Sequence, residues 1–597
     1  MATLSPHTPT PPPTTTTTTT ATAKSFSPFF QTKSEITVLR KPNHCFARRP
    51  VSCKATNGDQ NDNHSPLSKV DRRNVLLGLG GLYGVAGLGS DPFAFAEPVA
   101  PDLSNCGAAE FPGGAEPTNC CPQPSSKIID FKLPTPANKL RLRPAAHAVD
   151  NEYTAKYKKA LDLMKALPES DPRSFNQQAN VHCAYCNGAY HQVGFPNLGY
   201  QVHGSWLFFP FHRYYLYFFE KILGKLIDDP DFAMPFWNWD SPDGMQMPSI
   251  YADAKSPLYD ELRNANHQPP TLLDLDYNGR DIASSKQDQI SSNLTIMYRQ
   301  MVSNGKTPSL FFGSSFRAGD DDENGVQGSV ENIPHGPVHI WCGDNTQPNF
   351  EDMGNFYSAG RDPIFYAHHS NVDRMWSIWK TLGGRRQDFA DPDWLNASFL
   401  FYDENAQLVR VKVKDCLNTK KLGYDYQDVD IPWLKSKPTP RRSSLGKLKN
   451  AFKSLAVAHA AEGPKVEFPL VLESVIKLAV ARPKKSRSKK EKEEEEEVLV
   501  IENIVFDKNV PVKFDVYIND EDDLPSGPDK SEFAGSFVNV PHKHGHGKKT
   551  KTSLKLGLTD LLEDLDADDD ETVIVTLIPR FGKGNVKIGG IKIKFAS

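Results

Sequence analysis

The chain has 597 residues, 38% of them hydrophobic and 10% aromatic, which is enough to bury a large core in more than one domain and excludes a disordered protein. Its 69 basic and 73 acidic residues give a net charge of -4. Because no polybasic face is apparent, the charge favours small-molecule chemistry over nucleic-acid binding.

The first 96 residues have the composition of a targeting peptide. Up to about residue 50 the chain is rich in Ser, Thr and Pro and has one acidic residue, Glu35. The pair Arg72-Arg73 then precedes an apolar stretch and the small-x-small site Ala94-Phe95-Ala96. We predict that residues 1–96 direct the chain through chloroplast import and twin-arginine export to the thylakoid lumen. A mitochondrial presequence is the alternative.

The apolar stretch of the targeting peptide covers residues 75–89. It is shorter than the roughly 20 residues that a membrane-spanning helix needs. The sequence therefore predicts no retained membrane anchor.

Helical periodicity dominates the chain after a loop-rich entry segment that ends near Pro144. Apolar spacing predicts helices over residues 151–167, 210–227 and 371–382. His335 and His339 have helical spacing, and Pro337 between them is compatible with a first helical turn. We predict a mainly α domain with long loops over residues 97–434.

The C-terminal part has a different character. Residues 435–464 form a Ser-, Pro- and Lys-rich segment that we predict to be a protease-sensitive linker. Short runs rich in β-branched residues then predict a β-sandwich domain over residues 465–597, with strands at 498–505, 512–518, 572–578 and 586–595. The charged block 484–497 is predicted to be a solvated loop without a binding role, and His542, His544 and His546 to lie in an exposed loop.

Six histidines form two groups among aromatic residues in the predicted α domain. His182, His203 and His212 make the first group; His335, His339 and His369 make the second. A single histidine is more often a packed or surface residue than a ligand. Two triplets together predict two metal sites made of imidazoles, which suit Zn, Cu, Fe or Ni.

The residues near these histidines narrow the choice of metal. His335 is followed by Gly336, so the glutamate that a HExxH zinc protease needs after its first histidine is absent. Non-haem iron oxygenases use two histidines and a carboxylate, and neither triplet includes an obvious acidic ligand. Two all-imidazole sites instead favour a pair of copper ions.

The sequence strongly resembles the plant polyphenol oxidases, the catechol oxidases and tyrosinases with a binuclear copper centre. The resemblance covers essentially the whole chain. Its motifs are His182-Cys183-Ala184-Tyr185-Cys186, His203-Gly204-Ser205-Trp206, Phe211-His212-Arg213, His335-Gly336-Pro337-Val338-His339 and Asp362-Pro363-Ile364-Phe365-Tyr366-Ala367-His368-His369-Ser370-Asn371.

The resemblance implies a ligand set for two copper ions. His182, His203 and His212 would bind copper A, and His335, His339 and His369 would bind copper B. His368 is adjacent to a ligand but is not one in the family, a choice that spacing alone could not make. The implied fold is a copper-binding four-helix bundle with long loops, followed by an antiparallel β-sandwich that shields the copper site until the linker is cut.

The resemblance also implies covalent links between side chains. A thioether would join Cys186 to the ring of His203, where the residues alone indicate only a buried thiol or a disulfide partner. Disulfides would join Cys106 to Cys121 and Cys120 to Cys183, a connectivity that counting cysteines cannot give. Cys342 and Cys416 would remain as buried thiols.

Four further residues match family positions near the copper pair. Glu331 would order a water and assist phenol deprotonation, although a carboxylate at a helix start is the simpler interpretation. Phe356 would be a gate over the second copper, with core packing as its competitor. Gly336 and Ile340 each follow a copper B histidine and would tune activity on monophenols. Because glycine cannot hold a water with a side chain, Gly336 favours o-diphenol oxidation.

The predicted protein is a copper oxidase that converts o-diphenols to o-quinones and reduces dioxygen to water, with possible monophenol hydroxylation. Its partners would be small phenols, dioxygen, the import and export machinery and an activating protease. The sequence is also compatible with three alternatives: a dioxygen-binding copper protein without catalysis, a zinc hydrolase, and a latent or storage protein.

Overall fold

The computed structural model describes residues 97–135, 139–281, 284–321, 325–441, 467–520, 526–541 and 549–596. The predicted targeting peptide, residues 442–464 of the predicted linker and the loop with His542, His544 and His546 lie outside the described residues. The described residues cluster as one unit, so the helical part and the C-terminal part are packed against each other.

Ten α-helices are present in the described residues, and most of the long ones belong to the N-terminal part. They are α1 (Asn151–Lys165), α2 (Phe175–Cys186), α3 (Phe208–Leu226), α4 (Lys286–Tyr298), α5 (Pro308–Phe311), α6 (Gly336–Cys342), α7 (Ile364–Thr381), α8 (Pro392–Asn396), α9 (Lys489–Glu494) and α10 (Thr559–Asp564). Two π-helical turns, Arg299–Ser303 and Glu331–His335, precede loops or helices of the core.

Sequence features explain where these helices begin. The Asp150 side chain caps α1 by accepting a hydrogen bond from the backbone of Tyr153. Helix α3 can begin at Phe208 because Pro210, its third residue, lies in the first helical turn, where proline is tolerated. Helix α7 begins at Ile364, seven residues before the predicted start, because its first turns are buried on every side and show no amphipathic pattern.

The α domain is thus mainly helical with long loops, as predicted. Helices α2, α3, α6 and α7 carry most of the histidines at its centre, and nearly every residue of α3 and of the first three turns of α7 is buried. That these helices form a regular four-helix bundle stays a prediction. No helix in the described parts of the chain is long and apolar enough to cross a membrane.

Small sheets accompany the helices. The strands are β1 (Pro101–Asp102), β2 (Ile128–Asp130), β3 (Arg141–Arg143), β4 (His191–Gln192), β5 (Phe195–Gly199), β6 (Ser398–Tyr402), β7 (Leu408–Lys412) and β8 (Tyr424–Tyr426). Their strand orders are β1-β4-β5, β2-β7-β6 and β3-β8.

The C-terminal part consists of two antiparallel sheets. Its strands are β9 (Leu470–Val471), β10 (Ile476–Ala481), β11 (Glu496–Asp507), β12 (Val512–Ile518), β13 (Phe533–Asn539), β14 (Lys549–Gly557), β15 (Thr572–Phe581), β16 (Lys587–Ile588) and β17 (Gly590–Ala596). One sheet has the order β10-β15-β12-β13; the other has β14-β11-β16-β9, with β17 also paired to β11. Side chains from both sheets, such as Leu499 and Phe514, share one apolar core, which is the arrangement of a β-sandwich.

The prediction of a solvated loop over residues 484–497 is wrong. Helix α9 lies inside this block, and the Ser488 side chain and the Glu491 side chain form a capping box at its start. Glu497 is buried on β11 and accepts a hydrogen bond from Arg482 at 2.8 Å. Lys and Glu four residues apart support a helix, and strand pairing buries the acidic end of the block.

Candidate metal centre

The first histidine group lies where α2, α3 and the loop after β5 meet. His182 is near the end of α2, His203 follows β5 and His212 is in the second turn of α3. All three are buried, and one ring nitrogen of each lies within 4.8 Å of the others. Residues from three separate elements therefore converge on one point.

The second group is assembled from α6, α7 and the π-helical turn before α6. One ring nitrogen each of His335, His339, His368 and His369 lies within 4.8 Å of the others, and all four residues are buried. The rings of His212 and His369 stack with their centroids 4.1 Å apart, so the two groups are adjacent.

The hydrogen bonds of four of these rings fix which nitrogen carries a proton. In each ring Nδ1 donates to a backbone carbonyl: His182 to Phe356 (2.7 Å), His212 to Phe208 (2.8 Å), His335 to Glu331 (2.9 Å) and His339 to Met353 (2.7 Å). A carbonyl can only accept, so Nε2 keeps its lone pair. Within the described residues, Nε2 of His182, His212 and His335 has no hydrogen-bond partner. This arrangement suits metal ligands, whose other ring nitrogen is usually hydrogen-bonded.

Burial keeps the imidazoles neutral, which is the form that binds metals. It lowers the pKa of His182 to about 3 and the pKa of His339 to about 4. Burial also holds the pKa of His212, His335 and His369 well below the ordinary value. Neither group contains a carboxylate, so the donor set differs from the zinc-protease and non-haem iron patterns and fits copper.

Glu331 connects the two histidine groups. Its carboxylate accepts a hydrogen bond from the backbone N–H of Gly204 at 2.6 Å, next to His203, and another from Gly328 at 3.4 Å. The side chain is fully buried, and burial raises the pKa of its carboxyl to about 8. Glu331 therefore makes specific contacts between the two groups and is more than a carboxylate at a helix start.

Phe356 lies against the first histidine group, so its predicted position over the second copper is wrong. Its ring stacks on the ring of His203 with centroids 4.1 Å apart, and it meets the ring of His182 edge-on at 5.7 Å. The motif around Phe356 could not show which histidine group the ring contacts, because this depends on how the loop after α6 folds back over α2.

Gly336 and Ile340 are both buried on α6, and Gly336 faces the C-terminal domain. A Cβ atom at Gly336 would lie 2.7 Å from Cγ1 of Val538 and 3.5 Å from Cγ2 of Val540. The absence of a side chain at this position therefore permits the close approach of β13 and the residues that follow it.

The cysteines near the first group hold the entry segment against α2. Disulfides join Cys106 to Cys121 and Cys120 to Cys183, which are the pairs that the family pattern implies. Cys186 is buried outside these disulfides, and burial raises the pKa of its thiol. Cys342 and Cys416 are likewise buried and outside disulfides.

Gln201 ties the loop of His203 to the end of α2. Its side-chain amide donates to the carbonyl of Cys186 at 3.3 Å, and its Oε1 accepts from the backbone N–H of His203 at 2.9 Å. These contacts bring Cys186 and His203 into the same neighbourhood. Gln201 could not be predicted from the sequence, because no motif marks it.

The C-terminal domain borders the metal centre. A cavity between the domains is lined by His203, Gly204 and Phe356 on one side and by Phe537 and Val538 of β13 on the other. Asn332, next to Glu331, donates to the carbonyl of Ser536 at 2.6 Å and accepts from the backbone N–H of Val538 at 3.1 Å. Asn332 and Val538 could not be predicted as partners from the sequence, because they lie about 200 residues apart in the chain.

Two adjacent, buried groups of neutral histidines on a mainly helical core define a binuclear copper protein. Residues 172–382 match the model of the common central domain of tyrosinase, residues 388–439 the polyphenol oxidase middle domain, and residues 468–595 the chloroplastic polyphenol oxidase C-terminal domain.

Relatives and solved structures agree with these matches. The chain is 68% identical over 582 residues to the chloroplastic polyphenol oxidase of Malus domestica, covering 96% of this chain and 97% of the relative. It is 57% identical over 593 residues to that of Vitis vinifera, covering 96% of each. The structure of latent apple tyrosinase aligns with a TM-score of 0.74 and 69% identity, covering 79% of this chain and 100% of the other.

The chain therefore belongs to the chloroplastic polyphenol oxidase family. It is a copper-dependent oxidase whose cofactors are two copper ions. The relatives' names place them in the chloroplast, which supports the plastid address predicted for this chain.

Proposed function

We propose that the enzyme oxidises o-diphenols to o-quinones and passes the electrons to dioxygen, which is reduced to water. The observation that carries this proposal is the contact between the histidine groups, with the rings of His212 and His369 stacked at 4.1 Å. Two metal ions held this closely can act together on one dioxygen. Bound copper supplies redox chemistry and Lewis-acid orientation of a phenolate.

The proposed ligands of copper A are His182, His203 and His212, and those of copper B are His335, His339 and His369. The backbone hydrogen bonds of four of these rings support the proposal, because they hold the proton on Nδ1 and leave the lone pair on Nε2, the nitrogen that would bind a metal. Six neutral imidazoles add no negative charge, so a phenolate and other anions would balance the charge of the ions.

A thioether between Cys186 and the His203 ring is also proposed. Its support is the burial of both residues and the Gln201 contacts that bring them together. Formation of the bond would remove the thiol hydrogen and one ring hydrogen, a two-electron oxidation for which dioxygen, the oxidant of the proposed reaction, would accept the electrons. Peptide mass spectrometry is expected to find the two peptides joined with that loss of mass; a free, alkylatable Cys186 in the copper-loaded enzyme would contradict the proposal.

Four residues are proposed to shape the reaction. Glu331 would hold a water beside the copper pair and take up the phenol proton, and Phe356 would limit substrate access from the copper A side. Gly336 and Ile340 would set the preference between monophenols and o-diphenols. Because Gly336 offers no side chain to hold a water, we expect o-diphenols to be the better substrates.

We further propose that the enzyme is made as a latent precursor and is delivered to the thylakoid lumen. Residues 1–96 would be the targeting peptide, 97–434 the copper domain, 435–464 a linker cut by a protease, and 465–597 a shield. The contacts of Asn332 and Val538 across the domain interface support shielding. Import of a precursor with Arg72→Lys and Arg73→Lys into chloroplasts tests the address; unchanged delivery to the lumen would contradict it.

A dioxygen-binding copper protein without catalysis is the alternative function. The relatives include proteins named aureusidin synthase, 55% identical, and (+)-larreatricin hydroxylase, 53% identical. Proteins similar to this chain are therefore named for more than one activity. The discriminating experiment is oxygen uptake with catechol and with tyramine, before and after limited proteolysis between residues 435 and 465. Uptake with neither substrate by copper-loaded, cleaved protein would refute the oxidase.

A further inference from the structure

The second histidine group contains one imidazole more than the proposed copper B site uses. His368 precedes His369 on α7 and is fully buried. Its ring centroid lies 5.5 Å from that of His335 and 5.1 Å from that of His339. One of its nitrogens belongs to the set of ring nitrogens that lie within 4.8 Å of one another. A fourth imidazole thus borders a centre for which three ligands are proposed.

The hydrogen bond at Nδ1 of His368 runs in the direction opposite to those of the proposed ligands. Nδ1 of His335 and of His339 donates to a backbone carbonyl. Nδ1 of His368 accepts from the indole N–H of Trp239 at 3.2 Å, and an indole nitrogen can only donate. A neutral imidazole has one proton, which must then lie on Nε2 of His368. A protonated Nε2 cannot coordinate a metal.

The indole of Trp239 is held in place by its neighbours in the chain. The backbone N–H of Trp237 donates to the carbonyl of Ala367 on α7 at 2.9 Å. On the other side, Asp240 accepts from the side chain of Asn371, also on α7, at 2.9 Å. The segment that carries the indole is therefore hydrogen-bonded to α7 on both sides of His368. These contacts hold the indole N–H in place to donate to Nδ1 of His368.

Nε2 of His368 is buried and has no hydrogen-bond partner within the described residues. A buried N–H without an acceptor destabilises a protein, so an acceptor that reaches it is bound more tightly. The surrounding imidazoles of His335 and His339 use their N–H groups on backbone carbonyls. Neither of these two rings therefore has an N–H left to donate inside the group.

We propose that His368 is a hydrogen-bond donor of the metal centre and not a ligand, with Trp239 as the residue that fixes its tautomer. Its Nε2–H would donate to an anionic acceptor bound at the copper pair, such as a phenolate or hydroxide oxygen. The proposal rests on the ligand set given under the proposed function. It also gives a physical reason why the first histidine of the pair, His368, is not a ligand.

Fluoride binding to the copper-loaded full chain tests the proposal, because fluoride is a small anion and a strong acceptor. His368→Leu, which has no donor, is expected to weaken fluoride binding about tenfold, equivalent to about 1.4 kcal/mol. His368→Gln, whose amide N–H reaches a similar position, is expected to stay within about twofold of the wild type. Trp239→Phe should fall between the two, since the ring of His368 can then carry its proton on either nitrogen. Copper content is expected to stay at two ions in all three variants.

His267→Gln is the matched control. His267 is also buried, but its two nitrogens already contact the carbonyl of Trp341 and the carboxylate of Asp281. We expect this variant to keep both copper content and fluoride affinity.

Three results would overturn the proposal. Loss of one copper ion in both His368 variants would show that His368 is a ligand. Unchanged fluoride affinity in His368→Leu would show that His368 donates no hydrogen bond to the bound anion. Equal weakening in the His267 control would show that the effect is unspecific. If His368→Leu does not fold, the fluoride affinities of His368→Gln and Trp239→Phe are compared instead. Weaker binding by Trp239→Phe than by His368→Gln supports the proposal, and equal affinities overturn it. These readouts need no turnover, so failure of the oxidase proposal would be seen separately, as absent oxygen uptake by wild-type protein.

Discussion

Asn304 offers a direct test of shielding by the C-terminal domain, because it bridges the two domains away from the histidines. Its side-chain amide donates to the carbonyl of Ala534 on β13 at 3.2 Å, and its Oδ1 accepts from the backbone N–H of Gly557 at 3.0 Å. The side chain is buried, with 2% exposure. Asn304→Ala therefore removes the hydrogen-bond partner of two buried backbone groups, the carbonyl of Ala534 and the N–H of Gly557.

The expected effect follows from the cost of leaving these groups unpaired. At about 1–2 kcal/mol for each group, the closed arrangement of the domains loses about 2–4 kcal/mol. This shifts the balance between closed and open domains by a factor of about 30 to several hundred. The measured quantity is a ratio: the rate of oxygen uptake with catechol by uncleaved protein, divided by the rate for the same protein after linker cleavage. The ratio is expected to rise at least about tenfold in Asn304→Ala, up to a limit of one.

Asn293→Ala is the matched control for this experiment. Asn293 is equally buried and also makes two backbone hydrogen bonds, to Leu273 and Leu275, but both lie inside the α domain. This variant is expected to lose stability without a change in the ratio. The reasoning is refuted if Asn304→Ala exposes the amides of β13 and β14 to hydrogen exchange yet leaves the uncleaved enzyme as inactive as before.

Three other substitutions test packing and electrostatics. Asp373→Asn leaves two buried arginines without their shared carboxylate, and we expect a loss of about 3–5 kcal/mol in urea unfolding; a loss below about 1 kcal/mol would contradict this. Burial raises the pKa of Asp352 to about 8 and that of Asp260 to about 6, so the folded state binds extra protons. The contribution of these two carboxyls to stability should therefore be complete at acid pH and fall by about 1.4 kcal/mol per pH unit and proton as the pH rises toward 8; thermal unfolding of Asp352→Asn should lack this contribution between about pH 5 and pH 8, and a slope identical to that of the wild type would count against the assignment. Gly336→Ala would place a Cβ 2.7 Å from Val538, and is expected to raise the activity of uncleaved protein, with relief of the effect by Val538→Ala.

Much of the metal centre could be predicted from sequence because its residues lie in local motifs. His335 and His339 have helical spacing, and the first group follows from short segments around His182, His203 and His212. The same local signals predicted helices at the positions of α1 and α3. Strand β12 was also predicted with its observed bounds, Val512–Ile518, since a run of β-branched and aromatic residues is informative without knowledge of its partners.

Features that depend on packing between distant segments could not be predicted. The side of the centre on which Phe356 lies, the contacts of Asn332 with β13 and the hydrogen bond from Trp239 to His368 all join residues far apart in the chain. The helix in the block 484–497 was missed for another reason. Its charges were interpreted as signs of solvation, although charges at helical spacing also stabilise a helix.

The ratio of dioxygen consumed to catechol oxidised tests the central claim most directly. Each catechol releases two electrons on becoming a quinone, and reduction of one dioxygen to water takes four. Copper-loaded, linker-cleaved protein is therefore expected to consume one dioxygen for every two catechols and to release no hydrogen peroxide. Retention of copper without any oxygen uptake, or a ratio of one to one with release of peroxide, would contradict oxidation at a coupled copper pair.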